Sequence, residues 1–209
     1  MIVPTSGDPS TADLAEVALA VGRGEIVAIP TDTVYGLAAD PFQPAAIKRL
    51  FDAKQRPASL AVPVLVSGTE QALGLASAVP DAAIALMDAF WPGALTIVLS
   101  CRAELAAALR GNGPDGPPTV GLRHPDHRLP VAICEKAGPL ATTSANLHGQ
   151  PTPTTAAEVE AMFGDLVAVV LDGGASAGLA STVVDCTGAE PRLLRQGRIA
   201  WPDVLAVVS

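Results

Sequence analysis

An α/β fold built on one large twisted sheet is what this sequence predicts. Three observations carry that prediction. Apolar runs of strand length recur from Ile26 to Leu194, helix-period stretches alternate with them, and no repeat or low-complexity linker divides the 209 residues. Charged residues make up only 16%, against about 25% in an average soluble protein. The difference is filled by alanine, valine and leucine, which suits one well-buried domain over 1–209 with its core at about 10–200.

The elements follow in order. Ser10 or Thr11 caps a helix that sets Leu14, Val17, Ala18 and Val21 on one face, and Gly22 and Gly24 end it. Ile26 to Ile29 reads as a short buried strand, and Pro30 to Gly36 as a polar turn at its end. Pro44 to Ala53 is a helix with Ile47, Leu50 and Phe51 inward, leaving Lys54 and Arg56 just past its C-terminus, where the helix dipole favours cations. Ala61 to Val66 is a strand that Pro63 assigns to an edge or irregular position. Helices over Thr69 to Ala76 and Pro80 to Phe90 precede a break at Trp91-Pro92-Gly93 and an apolar β-type run from Ala94 to Leu99. Arg110 to Pro118 is a loop of glycine and proline whose composition suits mobility. Thr119 to Arg123, Leu140 to Thr143, Val167 to Leu171, Thr182 to Cys186 and Arg192 to Leu194 are further strands. Arg128 to Ala137, Thr155 to Phe163 and Pro202 to Val208 are further helices.

The net charge of −8 argues against broad nucleic-acid binding, which needs clustered cations. Ten arginines against three lysines suit a few fixed forks better than a diffuse basic surface. Cys101, Cys134 and Cys186 are odd in number and far apart, the pattern of reduced, buried thiols. No apolar stretch approaches about 18 residues, and the first residues lack the basic and apolar regions of a signal peptide. Cytoplasm is the expected location.

Gly111-Asn112-Gly113-Pro114-Asp115-Gly116 matches GxGxxG as a string, but it follows a helix-like stretch and leads into prolines. No Walker A string is present. His124 and His127 form HxxH without a third ligand at matching spacing, so a surface loop is favoured over a metal site. No Ser-His-Asp or Cys-His arrangement stands out. The informative pattern is polar side chains delivered at strand ends, where α/β sheets gather ligands. Thr31, Asp32, Thr33 and Tyr35 follow one strand. Ser144, Asn146 and Thr152 follow another, Arg123 ends a third, and Arg195 follows a fourth. Lys54 and Arg56, with the hydroxyl and amide of Ser144 and Asn146, are the groups that hold a polyphosphate beside a small polar substrate.

Taken together, Pro30-Thr31-Asp32-Thr33-Val34-Tyr35-Gly36-Leu37, Lys54/Arg56, Phe90-Trp91-Pro92-Gly93, Val120-Gly121-Leu122-Arg123, Thr143-Ser144-Ala145-Asn146, and Ser181 to Asp185 with Leu194-Arg195-Gln196-Gly197 resemble the YrdC-like threonylcarbamoyl-AMP synthases, in short single-domain form. The resemblance implies a mixed sheet flanked by helices around a concave basic cavity. It implies the reaction of L-threonine, bicarbonate and ATP to threonylcarbamoyl-AMP and pyrophosphate, for modification of tRNA adenosine beside the anticodon. A separate transferase complex would complete that modification, with at most weak direct tRNA binding by this chain. It implies Lys54 and Arg56 on the phosphates, with Mg²⁺ carried by ATP and no metal ligand from the protein. Thr96, Ser144, Asn146, Thr152 and Arg195 would line the nucleotide side. Thr33, Arg123 and the backbone at Thr142 would hold threonine, Arg123 through its carboxylate.

Three positions depart from the family pattern. Leu60 replaces an asparagine, Leu65 stands where a histidine would fall, and His148 replaces a serine. Two other readings compete: a carbamoyl-adenylate domain of hydrogenase-maturation type, and a non-enzymatic RNA-binding module. The absence of acylphosphatase and zinc-finger parts weighs against the first, and the acidic charge against the second.

Overall fold

The computed structural model describes residues 2–4, 11–55, 61–111, 117–147 and 149–208. Strands β1 (Ile2–Pro4), β2 (Val27–Ile29), β3 (Gly36–Ala39), β4 (Val64–Leu65), β5 (Ala76–Ala78), β6 (Leu95–Cys101), β7 (Thr119–Arg123), β8 (Leu140–Ser144), β9 (Val169–Asp172), β10 (Thr182–Asp185) and β11 (Arg192–Arg195) form a single sheet. Its order is β1-β9-β2-β3-β8-β4-β7-β6-β10-β11, with β5 added on β6. The pairing is mixed: β4 runs parallel to β7 and β6 to β10, whereas β3 is antiparallel to both β2 and β8. The expected α/β class and large mixed sheet are therefore both present.

Period-two alternation divides the sheet between two cores. Val27 and Ile29 of β2, with Val169 and Leu171 of β9, pack toward helices α1 (Thr11–Gly22) and α6 (Arg128–Ala137). Ala28 and Val170, one residue out of phase, face the larger core. That core receives Leu50 of α2 (Pro44–Lys54), Ala72 of α3 (Thr69–Leu75), Leu86 of α4 (Asp81–Phe90) and Leu105 of α5 (Ala103–Leu109). Phe163 of α7 (Ala156–Phe163) and Val204 of α8 (Trp201–Val208) complete it. Residues 164–166 form a 3₁₀ turn after α7.

The helix ends show why the boundaries fall where they do. Thr155 accepts the Glu158 backbone N–H at 3.3 Å while Glu158 reaches back to the Thr155 N–H at 3.2 Å, a reciprocal cap that starts α7. His127 Nδ1 accepts from the Leu129 N–H at 3.2 Å and starts α6, and His124 packs edge-on against Trp91. The HxxH string is thus one cap and one aromatic contact.

Four elements differ from the sequence reading. β4 lies inside the sheet, between β8 and β7, and not at an edge. Pro63 stands just before β4, an irregular position outside the ladder where its missing N–H removes no ladder bond, and its carbonyl accepts from Thr142 N at 2.8 Å. Ala76 leaves the expected helix and joins β5, paired with Cys101. The turn ending at Gly36 opens directly into β3, and β1 docks parallel on β9. No helix among the described residues is long and apolar enough to cross a membrane. The centre of the Arg110 to Pro118 loop lies outside the described residues. Its ends meet where Thr119 Oγ1 donates to the Gly111 carbonyl at 2.6 Å.

Candidate functional site

Strand ends converge on one cavity of about 210 Å³. Thr31 and Thr33 reach it from the turn after β2, Thr96 from β6, Arg123 from the end of β7, Thr142 and Ser144 from β8, and Thr152 from the following loop. Ser181 and Arg195 come from the carboxy-terminal hairpin, which β10 and β11 form. Seven of the expected site residues, Thr33, Thr96, Arg123, Thr142, Ser144, Thr152 and Arg195, therefore line the same space. A second cavity of about 250 Å³ shares Pro63, Thr96 and Arg195 with the first. Its walls are largely aliphatic, from Val62, Val98, Val120, Val183 and Leu194.

The turn after β2 is organised by Thr31. Its Oγ1 donates to the Val34 carbonyl at 2.7 Å and accepts from the Thr33 and Val34 N–H groups at 3.2 and 3.1 Å. This holds Thr33 and Asp32 toward Arg123. The Arg123 guanidinium donates to Thr33 Oγ1 at 2.7 Å, to Asp32 Oδ1 at 2.5 Å and to the Gly93 carbonyl at 2.9 Å. Three of its five N–H groups are thereby committed, which sets the plane of the fork and leaves the other two for a ligand. Burial lowers the Arg123 proton affinity, and Asp32 works against that shift. Arg123 stays cationic, because arginine remains charged in proteins.

Arg195 is held differently. Its Nε and Nη2 donate to the Ser181 carbonyl at 3.1 and 2.9 Å, and Nη2 also reaches Ser181 Oγ at 3.1 Å. Ser181 Oγ lies 2.9 Å from Thr96 Oγ1, so the chain Thr96–Ser181–Arg195 ties β6 to the hairpin. A Cβ at Gly197 would lie 2.3 Å from the Ser181 carbonyl carbon, so only glycine lets the hairpin close this tightly.

Lys54 is the last residue of α2 and only 2% exposed. Its ammonium crosses to the loop after β8, donating to the Ser144 carbonyl at 2.6 Å and to the Asn146 carbonyl and Oδ1, each at 2.8 Å; Ser144 Oγ lies at 3.2 Å. Asn146 is itself fully engaged. Its Oδ1 also accepts from Ser144 Oγ at 2.6 Å, and its Nδ2 donates to the Leu147 and Gln150 carbonyls at 3.0 and 2.7 Å. The expected lysine–serine–asparagine grouping exists, with the lysine gripping the loop. Arg56, Leu60 and His148 lie outside the described residues. Leu65, at the remaining departure, is buried and borders the cavity.

Sequence reasoning set Asp32 in the polar cluster after β2 and Ser181 in a motif without a role of its own for either, and it did not single out the segment between β9 and β10. That segment lines the cavity at Gly178 and Ala180, with the Gly178 N–H on the Thr33 carbonyl at 2.8 Å. Buried Tyr35 fixes its start by donating to the Gly174 carbonyl at 2.7 Å. Positive φ at Gly174 and Gly178 was a usable sequence signal only as glycine spacing. The cysteines are buried and free, and burial pushes Cys134 up to about 12 and Cys186 up to about 11, so neither is a nucleophile at neutral pH. Among the described residues no group of three or more His, Cys, Asp or Glu side chains is placed to hold a metal.

Residues 20–197 match the Sua5/YciO/YrdC family model, described as "Telomere recombination". The chain is 41% identical over 191 residues to a putative threonylcarbamoyl-AMP synthase of Mycobacterium tuberculosis, covering 91% of this chain and 86% of that one. It is 38% identical over 207 residues to the threonylcarbamoyl-AMP synthase of Bacillus subtilis, covering 98% of this chain and 58% of the relative. Among solved structures, Pyrococcus abyssi Sua5 complexed with L-threonine superposes with a TM-score of 0.93 at 34% identity, over 100% of this chain and 61% of that one. The chain thus spans about three fifths of the latter two proteins.

Proposed function

Because this chain belongs to the Sua5/YciO/YrdC family, we propose that it is a threonylcarbamoyl-AMP synthase, converting L-threonine, bicarbonate and ATP to threonylcarbamoyl-AMP and pyrophosphate. The observation that carries the reading is the pairing of an oriented, buried arginine fork at Arg123 with a second arginine, Arg195, at the junction of a polar and an aliphatic cavity. The names carried by relatives at 38 and 41% identity support it, and they favour it over the hydrogenase-maturation and RNA-binding readings.

In this reading the free N–H groups of Arg123 take the threonine carboxylate, with Thr33 and the backbone at Thr142 beside it. The amine attacks bicarbonate, water leaves, and the resulting carbamate oxygen attacks the α-phosphorus of ATP to expel pyrophosphate. The aliphatic cavity suits the adenine. Arg195, Thr96, Thr152 and the Ser144–Asn146 loop gripped by Lys54 face the phosphates, and Arg56, outside the described residues, is assigned to them by the family resemblance alone. Mg²⁺ would arrive with the nucleotide, since no carboxylate lines the cavity among the described residues and Asp32 is committed to Arg123. Several anions must meet in one site, so fixed cations and positioning supply the rate. No protein nucleophile is required. The product would feed a threonylcarbamoyl transferase acting on tRNA in the cytoplasm.

Pyrophosphate release from ATP and Mg²⁺ that requires both L-threonine and bicarbonate is the expected result. Release indifferent to threonine would point to another acceptor, and no release would shift weight to a binding module.

A further inference from the structure

The two cavity arginines are charged alike but compensated differently. Arg123 has Asp32 Oδ1 on its Nη2 at 2.5 Å, with the two side chains 7% and 10% exposed. Arg195 meets only neutral acceptors among the described residues, the carbonyl and hydroxyl of Ser181. Exposed Arg198 donates to the Asp32 main-chain carbonyl at 3.1 Å. Arg195 and Arg198 are both close enough to Arg123 to act on its proton affinity as like charges, and His127 is close enough to Asp32 to sense it. Two guanidinium groups therefore line one small cavity, with the Asp32 carboxylate against one of them and a third guanidinium on the Asp32 main chain.

We propose that Asp32 sorts the anionic substrates: it cancels the charge of Arg123, so that this fork accepts a monovalent carboxylate and rejects a polyphosphate, which goes to uncompensated Arg195. The inference rests on the reading that Arg123 takes an amino-acid carboxylate. Its physical basis is that a planar fork binds carboxylate and phosphate with the same two-point geometry. Geometry alone cannot keep ATP, or the pyrophosphate it releases, off Arg123. A fixed negative charge against the fork does so, because each added ligand charge increases the repulsion from Asp32, and in a buried setting that repulsion is weakly screened. A single carboxylate still gains two charge-assisted hydrogen bonds. Asp32 is thus a specificity-determining residue that acts through Arg123.

The test is Asp32→Asn, which keeps the shape and the acceptor for Nη2 and removes the charge. Pyrophosphate and L-threonine are titrated calorimetrically into the full chain. Wild type should bind one pyrophosphate, without competition from threonine. Asp32→Asn should bind two, the second displaced by threonine and at least about tenfold tighter than any second site in wild type. In steady state, pyrophosphate should become competitive with threonine only in the variant. One equivalent in both proteins, with threonine affinity unaffected by pyrophosphate, overturns the proposal. Arg195→Gln tests it with Asp32 in place. It should lose pyrophosphate binding by about tenfold or more without relocating the anion, whereas pyrophosphate competing with threonine in that variant overturns the sorting. A wild-type protein that binds no threonine refutes the synthase reading, and the pyrophosphate stoichiometries still decide the role of Asp32.

Discussion

Replacing Lys54 with methionine keeps most of the side-chain volume and removes the ammonium that grips the loop after β8. Four oxygens lie within 3.2 Å of that nitrogen, two of them main-chain carbonyls. Asn146 Oδ1 keeps the Ser144 hydroxyl as a donor, and the Ser144 carbonyl keeps the Asn146 N–H at 3.0 Å, so the Asn146 carbonyl bears the loss. An acceptor left unsatisfied in a buried setting costs about 1–3 kcal/mol, which is the expected total. At about 2–4 °C per kcal/mol for a chain of this size, Tm should fall by about 2–12 °C. Amide hydrogen exchange at 144–147 should rise without any ligand. Lys48→Met is the matched control, because its pair with Asp52 joins side chains 76% and 63% exposed and contributes at most about 0.5 kcal/mol. Scanning calorimetry and exchange mass spectrometry read both effects. A Lys54→Met protein with the Tm and loop exchange of wild type refutes the reasoning and returns Lys54 to a purely ligand-directed role.

Three other outcomes follow from the geometry. Arg123→Lys cannot rebuild three fixed donor contacts, and the KM for threonine should rise by about tenfold or more with the KM for ATP little changed; equal effects on both would contradict the division of the cavity. Tyr35→Phe removes the hydroxyl bonded to Gly174, which should cost about 1 kcal/mol and speed exchange at 173–178, an effect absent if the segment is held from Thr33 alone. The thiols should resist iodoacetamide at pH 8 in the native protein and react on unfolding, so rapid native labelling would contradict their burial. The same shift has a linkage sign. An unfolded chain releases the Cys134 proton near the ordinary value of 9.0 and the folded chain holds it to about 12, so stability declines as pH rises through that interval.

Much of the fold was legible where local pattern and tertiary environment agree. β2, β6, β7 and β10 carry branched apolar residues, and α7 opens on a Thr-to-Glu cap. β3 was missed because Gly-Leu-Ala-Ala has no strand propensity of its own; burial of all four residues between β2 and β8 decides it. Ala76 was read as helix for the same reason in reverse, since pairing with Cys101 outweighs alanine's preference. The site was legible as polar clusters at strand ends, because topology brings those ends together whatever the loops do. Lys54 was placed just past a helix end, where exposure is the default. Its burial depends on partners 90 and 92 residues away, which no local pattern reveals. Asp32 and Ser181 received no role of their own because each is bonded to an arginine distant in sequence and stands among ordinary turn residues.

The most direct test of the central claim is isotopic. The protein is incubated with ATP, Mg²⁺, L-threonine and ¹³C-bicarbonate, and the adenylate product is analysed by mass spectrometry. The account predicts an adenylate carrying both the threonine skeleton and one ¹³C atom, formed together with pyrophosphate. An adenylate that carries threonine without the label, or ATP consumption with neither, would contradict it.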